Sequence, residues 1–151
     1  MALAGTYTIL YSAEDAAGNI SYMERYVTVQ EGTAAVETWD FDQDGNADAL
    51  TDGLLLLRYT FNLRGASLTD GAISSSSLLT PEEVEANVAE ATNGLADIDG
   101  NGAVDALTDG LMLLRYLFNL RGDSLIAGAV KNDATRTPAA DIEAYIQSYM
   151  P

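Results

Sequence analysis

One stretch of sequence occurs twice in this chain, at an offset of 57 residues. It reads DFDQDGNADALTDGLLLLRY over residues 40–59 and DIDGNGAVDALTDGLMLLRY over residues 97–116. Over the longer windows 40–69 and 97–126, 21 of 30 positions are identical. The chain is therefore a short N-terminal piece followed by two copies of one unit, repeats 40–96 and 97–151.

Acidic residues are concentrated where each repeat begins. The chain carries 23 Asp and Glu residues against 7 Lys and Arg, a net charge of −16, and nine of its 14 Asp residues lie within 40–52 and 97–109. Nucleic acids and anionic membranes would be repelled by this charge, so we expect neither as a partner. The absence of Cys and His excludes thiol nucleophiles and imidazole bases. The longest apolar run, residues 54–57, is too short for membrane insertion.

The acidic windows have the spacing of calcium-binding loops. Oxygen ligands at positions 1, 3 and 5 converge on one point, and a Gly at position 6 allows the chain to reverse sharply. The carbonyl of position 7 and later carboxylates then complete the coordination shell, so the sequence predicts two bound Ca²⁺ ions. The predicted ligands of the first site are Asp40, Asp42, Asp44, the carbonyl of Asn46, Asp48 and Asp52. The predicted ligands of the second site are Asp97, Asp99, Asn101, the carbonyl of Ala103, Asp105 and Asp109.

The residue that closes each coordination shell is left open by the spacing. A twelve-residue calcium loop ends on a carboxylate, but counting from Asp40 the carboxylate of Asp52 comes at position 13. Either each loop has one extra residue and Asp52 and Asp109 close the shells, or Asp48 and Asp105 close them. In the second case the later Asp residues only stabilise the start of a helix. We favour the first interpretation.

The two loops differ by one ligand charge. Asp44 of the first loop is replaced by Asn101 in the second. Because fewer ligand charges usually weaken Ca²⁺ binding, we expect the first site to bind at least as tightly as the second.

The sequence after each loop predicts two helices per repeat. The first helix should run from about Asp52 to residue 62, with Thr51 as its N-cap and Gly65 as its C-terminal cap. Gly53 lowers helix propensity by ~1 kcal/mol relative to Ala, which indicates close approach of another segment. The second helix should run from Pro81 to about residue 91, and its counterpart over about 138–149. Neither repeat can bury its apolar helix alone, so the repeats should share a core with pseudo-twofold symmetry.

Residues 5–30 differ in character from the repeats. Residues 6–12 and 20–29 are rich in β-branched and aromatic side chains and flank a turn, which predicts a β-hairpin. The expected organisation is a hairpin at 5–30, a linker at 31–38 and a calcium-binding domain at 39–151.

The repeats resemble dockerin modules. The resemblance rests on the duplicated Asp-rich loops, each followed by an apolar helix ending in Leu-Arg-Tyr, and covers about residues 40–149. It implies two loop-and-exit-helix halves of EF-hand type, Ca²⁺ binding, and docking onto a cohesin-like domain that joins secreted proteins to scaffolds. The positions that match dockerin recognition residues are Leu50, Thr51, Leu57, Arg58, Leu107, Thr108, Leu114 and Arg115.

The hairpin resembles the last two strands of bacterial immunoglobulin-like repeats, which occur in secreted and surface proteins. Such a sandwich needs about seven strands, so the resemblance implies that the chain is the C-terminal part of a larger exported protein. The first residues also lack the basic segment and long apolar core of a signal peptide. We therefore expect secretion or display on the cell surface as part of a longer chain.

These observations predict a fold class and a function. The expected fold is mainly α, a duplicated EF-hand-like and dockerin-like helical calcium-binding domain preceded by a hairpin from an incomplete β-sandwich. The leading function is a non-catalytic calcium-binding interaction module. The alternatives are a purely structural calcium-stabilised domain and, less favoured, an EF-hand sensor. An enzyme using paired carboxylates is disfavoured, because the Asp clusters already have a metal-binding interpretation.

Overall fold

The computed structural model describes residues 5–29 and 36–151. The chain divides into two compact units, residues 1–34 and 35–151, and each is described by itself. Of the predicted linker at 31–38, residues 31–35 lie outside the described residues.

The first unit is an antiparallel hairpin of β1 (Gly5–Glu14) and β2 (Ile20–Val29), in a register that pairs Leu10 with Glu24. The turn is held by the Asp15 carboxylate, whose Oδ1 accepts hydrogen bonds from the N–H groups of Ala17 (2.8 Å) and Asn19 (2.9 Å). Both strands are present where the sequence predicts them. Whether the hairpin belongs to an immunoglobulin-like domain stays a prediction.

The second unit contains the two repeats, and both have the same order of elements. In the first repeat a π-helical turn over Ala49–Gly53 leads into α1 (Leu54–Thr60), which is followed by α2 (Ala66–Thr69) and α3 (Pro81–Ala91). In the second repeat a π-helical turn over Ala106–Gly110 leads into α4 (Leu111–Leu117), followed by α5 (Asp123–Ile126) and α6 (Ala139–Ser148).

The prediction of a mainly α fold is wrong. The described residues contain six helices of four to eleven residues and a sheet of two ten-residue strands, so the chain contains both α and β structure. The exit helices are shorter than predicted, and left-handed residues interrupt the chain between the elements of each repeat. Gln43, Gly45, Asn62 and Gly65 all have positive φ in the first repeat. Much of each repeat is therefore loop. A separate observation is that, within the described residues, no helix has the length and apolar character needed to cross a membrane.

The exit helices begin and end at residues other than those predicted. Thr51 does not cap a helix, because it lies inside the π-helical turn that begins after Asp48. The helix α1 ends at Thr60, and the left-handed residue that stops it is Asn62 rather than Gly65: Asn62 has a φ of 64° and its N–H donates to Tyr59 O at 2.8 Å. The N–H of Leu63 then donates to Arg58 O at 3.0 Å, which completes a Schellman motif with Asn in the left-handed position.

The helix α3 follows its prediction closely. It spans Pro81–Ala91, with Pro81 in its first turn. The Thr80 side chain accepts from the Glu83 N–H while the Glu83 carboxylate accepts from the Thr80 N–H at 2.7 Å, which forms a capping box. The counterpart α6 has no side-chain cap at its start.

The repeats pack against each other through their glycines. A Cβ atom added to Gly53 would lie 3.1 Å from Leu114 Cδ1, and one added to Gly110 would lie 3.3 Å from the Cα atom of Leu57. The two contacts are related by exchange of the repeats, as a twofold arrangement requires. The fully buried side chains of both repeats belong to one hydrophobic core, so the predicted shared core and the close approach at Gly53 are confirmed.

Trp39 joins the start of the second unit to its last helix. Its side chain is fully buried, its Nε1–H donates to Ile146 O at 2.7 Å, and its backbone N–H donates to Tyr149 O at 3.0 Å. The indole also makes edge-to-face contacts with Phe41 and Tyr145. The residue just before the first acidic loop is therefore held by the end of the second repeat.

Candidate metal centre

The first acidic loop gathers three carboxylates. Oxygen atoms of Asp40, Asp42 and Asp44 all lie within 4.8 Å of one another. The loop is curled by its own hydrogen bonds, since Asp40 Oδ1 accepts from the Asp44 N–H (3.1 Å) and Asp40 Oδ2 accepts from the Gly45 N–H (2.9 Å). Gly45 has a φ of 97°, the conformation expected of Gly at the sharp reversal.

The carboxylate of Asp52 accepts hydrogen bonds from both ends of this loop. Its side chain is fully buried. Oδ1 accepts from the Phe41 N–H at 2.7 Å, and Oδ2 accepts from the Asp48 N–H and the Thr51 hydroxyl, both at 2.9 Å. Burial raises the pKa of Asp52 to about 6, although these hydrogen bonds favour its charged form.

In the second loop the carboxylate of Asp109 is itself a member of the cluster. Oxygen atoms of Asp97, Asp99 and Asp109 lie within 4.8 Å of one another. Asp109 is fully buried, and its carboxylate accepts from the Ile98 N–H (2.8 Å) and the Asp105 N–H (2.9 Å). The arrangement around Asp109 thus repeats the arrangement around Asp52.

Asp99 carries an enclosed carboxylate oxygen without a partner. The residue is fully buried, and no donor among the described residues makes a hydrogen bond to its Oδ2. Burial, followed by the nearby charge of Asp109, raises the pKa of Asp99. A buried carboxylate oxygen is costly unless a hydrogen bond or a cation satisfies it. Each of the two Asp clusters could hold a metal ion, and this unpartnered oxygen fits that interpretation.

A π-helical turn accommodates the extra residue of each loop. The Gly53 N–H donates to Asp48 O at 3.0 Å and the Gly110 N–H donates to Asp105 O at 3.1 Å, both to the fifth residue before. Such a turn holds one residue more than an α-helical turn. It places the thirteenth residue, Asp52 or Asp109, under the loop where a twelfth residue would otherwise lie.

The remaining predicted ligands lie nearer the surface. The side chain of Asp48 is exposed, and Asn46 donates its N–H to Asp44 Oδ1 at 2.9 Å. Asn101 Oδ1 accepts from the Ala103 N–H at 2.8 Å. Asp105 forms an ion pair with Lys131. In the second loop the cluster therefore contains Asp109 but not Asp105, whereas in the first it contains neither Asp48 nor Asp52.

Residues 74–77, a polar segment between the two predicted helices of the first repeat, lie against the first loop. The Ser74 N–H donates to Asp42 Oδ2 at 2.7 Å, and the Ser77 hydroxyl donates to Asp42 O. Asn87, on α3, donates from Nδ2 to Phe41 O at 2.9 Å. The available signal was the run of four Ser residues at 74–77.

The four leucines predicted to bind a partner fall into two groups. Leu50 and Leu107 are each 66% exposed on the π-helical turns. Leu57 and Leu114 instead lie between the repeats, next to the glycines of the opposite repeat.

The predicted arginines are engaged within their own repeats. Arg58 donates to the carbonyls of Leu68 (2.8 Å) and Asp70 (2.9 Å), and so holds the C-terminal end of α2 against α1. Arg115 makes the equivalent hydrogen bonds to the carbonyls of Leu125 (3.0 Å) and Ala127 (2.9 Å). The short helices α2 and α5 had not been predicted, and each contributes one fully buried Leu to the core.

No family model, curated protein or solved structure matches this chain. The chemistry of the two acidic loops and of the segments packed on them is therefore the basis for assigning a function.

Proposed function

We propose that the second unit is a non-catalytic, dockerin-like module that binds two Ca²⁺ ions and serves in protein–protein interaction. The observation that carries the proposal is the duplicated cluster of Asp carboxylates, each tied to a fully buried Asp on the following turn. One cluster includes an enclosed oxygen with no donor among the described residues. A divalent cation bound there would offset the mutual repulsion of the carboxylates.

The donor set favours Ca²⁺ over other cations. The side chains that converge in each cluster offer carboxylate oxygens, and hard cations such as Ca²⁺ prefer oxygen ligands. The loops are irregular and curl over six to nine residues, which suits the variable coordination of Ca²⁺ better than the strict octahedron of Mg²⁺. Asp52 and Asp109 are the residues that we assign to close the two shells.

The partner in this proposal is a cohesin-like protein domain. Leu50 and Leu107 support it, because they are the same residue on the same turn of each repeat and both remain largely exposed. The resemblance of the hairpin supports a further part of the proposal, that the module belongs to a larger protein that is secreted or held at the cell surface.

A purely structural calcium-stabilised domain is the second candidate. It is favoured by the hydrogen bonds of Arg58 and Arg115, whose guanidinium groups are occupied with backbone carbonyls of their own repeats. In this case Ca²⁺ would make the second unit rigid, and the unit would have no dedicated partner.

Calorimetry and circular dichroism test the calcium proposal directly. Titration of chelator-treated protein should show two binding events and a gain of helical signal, with a change in the emission of Trp39, the residue before Asp40. The double variant Asp40→Asn, Asp97→Asn should lose most of the binding. Asp70→Asn, which removes an exposed carboxylate outside the loops, serves as the matched control and should bind normally. Absence of any calcium response would overturn the proposal.

The partner is tested by affinity capture. The protein with Ca²⁺ should retain a partner from the exported proteins of the source organism, and a chelator should release it. The Leu50→Ala, Leu107→Ala variant should lose the partner while keeping its calcium binding. Calcium binding without any captured partner would favour the structural alternative.

A further inference from the structure

The two repeats differ most in the connector that covers each acidic loop. Residues 74–79 of the first repeat read SSSSLL, and the aligned residues 131–136 of the second read KNDATR. The preceding loops and exit helices are nearly identical in sequence. The first connector is therefore uncharged, whereas the second carries the cations Lys131 and Arg136 and the anion Asp133.

The second connector lies tightly on its loop. The N–H groups of Thr135 and Arg136 donate to Asp99 O at 3.1 Å and 2.8 Å, and the Arg136 guanidinium donates to the carbonyl of Ile98. Thr135 also donates its hydroxyl to Gly100 O at 2.7 Å. This contact is so close that a Cβ atom on Gly100 would overlap Thr135 Oγ1.

The first loop cannot be covered in the same way. The residue equivalent to Gly100 is Gln43, which has a side chain, and the residue equivalent to Thr135 is Leu78, which is 97% exposed. The first connector reaches its loop only through Ser74 and Ser77. The tight cover is thus particular to the second repeat.

Lys131 sits on a predicted ligand of the second loop. Its Nζ pairs with Asp105 Oδ2, and the side chains of both residues are close to half exposed, at 46% and 44%. The equivalent residues of the first repeat are Ser74 and Asp48, so the first loop has no such ion pair available. The first loop has five carboxylates and an uncharged connector, whereas the second has four carboxylates and a connector that carries the cations Lys131 and Arg136 and the anion Asp133.

We infer that Lys131 is a tethered counter-ion of the second site, which a divalent cation must displace from Asp105. This inference rests on the proposed calcium function and concerns its regulation. The first loop takes Ca²⁺ at lower concentration, because nothing positive opposes the incoming ion. The second loop takes Ca²⁺ only at higher concentration and holds its shape without metal, because its connector and Lys131 already brace it. The module therefore fills in two separate steps.

Exchanging the connector residues between the repeats tests this inference in the full chain. Calcium titration by calorimetry compares the wild type with Lys131→Ser, which gives the second repeat the residue of the first, and with Ser74→Lys, which does the reverse. Asn132→Ser is the matched control, because it changes the same exposed connector without changing the charge. Asp40→Asn and Asp97→Asn assign each binding step to its loop.

The expected result is a tighter first loop in the wild type and opposite shifts in the two exchanges. Removing or adding one charge a few ångströms from a divalent ion changes its affinity by about tenfold in a water-like environment. Lys131→Ser should therefore lower the dissociation constant of the second loop about tenfold, and Ser74→Lys should raise that of the first by a similar factor.

Two results would overturn the inference and leave the calcium function intact. One is a second loop that binds more tightly than the first in the wild type. The other is a pair of exchanges whose dissociation constants both stay within about twofold of the Asn132→Ser control. Absence of binding in every variant, by contrast, would overturn the proposed function itself.

Discussion

Asp52 and Asp109 connect the acidic loops to the apolar core. Each carboxylate is fully buried and accepts hydrogen bonds from a backbone N–H at the start of its loop and from another near its end. Two effects oppose each other at such a residue. The hydrogen bonds favour the charged carboxylate, whereas removal from water disfavours it. At Asp52 burial is the larger effect, and its pKa rises to about 6.

The metal-free protein should lose stability as the pH rises from about 4 to about 7. The pKa of Asp52 is about 6 in the folded state against 3.8 as its ordinary value. The stabilisation that protonated Asp52 contributes to the folded state is therefore fully present below its unfolded pKa. It is lost as the pH rises through its folded pKa. The loss is about 3 kcal/mol. Urea denaturation of metal-free protein across this range measures it.

The variant Asp52→Asn is the control for this prediction, because it has no proton to lose at this position. Its pH profile should be flatter than that of the wild type by the stated amount. Parallel profiles for the two proteins would show that Asp52 does not titrate in this range. Saturating Ca²⁺ should reverse the trend, because metal binding requires the deprotonated carboxylate.

The exit helices show how an element is ended by a residue that carries little signal in sequence. Asn62 and Asn119 have φ values of 64° and 65°, and each is followed by a Leu whose N–H reaches back to the carbonyl of the helix Arg. Gly is the usual residue in this position, and Asn is the next most tolerant. The left-handed residues that stop the exit helices therefore lie three residues before the glycines at 65 and 122.

Replacing Asn62 should distinguish backbone strain from lost side-chain contacts. Asn62→Ala should lower the free energy of unfolding by about 1 kcal/mol, because Ala lacks the short polar side chain that lets Asn tolerate the left-handed region. Asn62→Gly should be neutral or slightly stabilising. Denaturation in saturating Ca²⁺ measures both variants. Equal damage from Ala and Gly would instead indicate a role for the Asn side chain itself.

At the scale of the whole second unit, two glycines allow the repeats to pack closely. Gly53 faces Leu114 and Leu117, and Gly110 faces Leu57 and Thr60. Each exit helix thereby covers the start of the other, so that one core serves both repeats. The loops are linked through this core, since the turn that carries the closing Asp of one loop packs on the exit helix of the other.

Adding side chains at this interface should destabilise the unit. Gly53→Val and Gly110→Val should each lower the free energy of unfolding by about 1–3 kcal/mol, since well-packed cores resist added volume. The two losses should be similar, because the added group would meet a backbone Cα atom of the opposite exit helix in both variants, Leu114 at 3.4 Å and Leu57 at 3.3 Å. Gly94→Val is the control, since nothing lies within 4 Å of the position of its Cβ atom. Equal losses at all three positions would contradict the packing.

Separated repeats should not fold as stable monomers. Residues 36–93 and 94–151 would each expose the helix face that the other covers in the intact unit. Each piece, prepared with Ca²⁺, should show weak cooperativity in thermal melts or should associate, and mixing the two should restore a cooperative transition. Two independently stable monomers, seen by sedimentation and circular dichroism, would refute the shared core.

Much of this architecture could be predicted from the sequence, because it depends on local pattern. The hairpin, the helix over residues 81–91 with its capping box, and the two Asp clusters all follow from spacing and from residue chemistry within a few positions. The shared core also followed, because 57-residue repeats with one apolar helix each are too small to bury it alone.

Other features were decided only by tertiary structure, because they depend on residues far apart in the chain. The π-helical turns shift Asp52 and Asp109 by one residue so that each reaches the N–H groups at the start of its loop. Arg58 and Arg115 turn inward to carbonyls ten and twelve residues away. The connectors at 74–79 and 131–136 fold back over loops more than thirty residues earlier. Near-identical loops thereby acquire different electrostatic surroundings, because a charge acts through space on whatever the fold brings beside it.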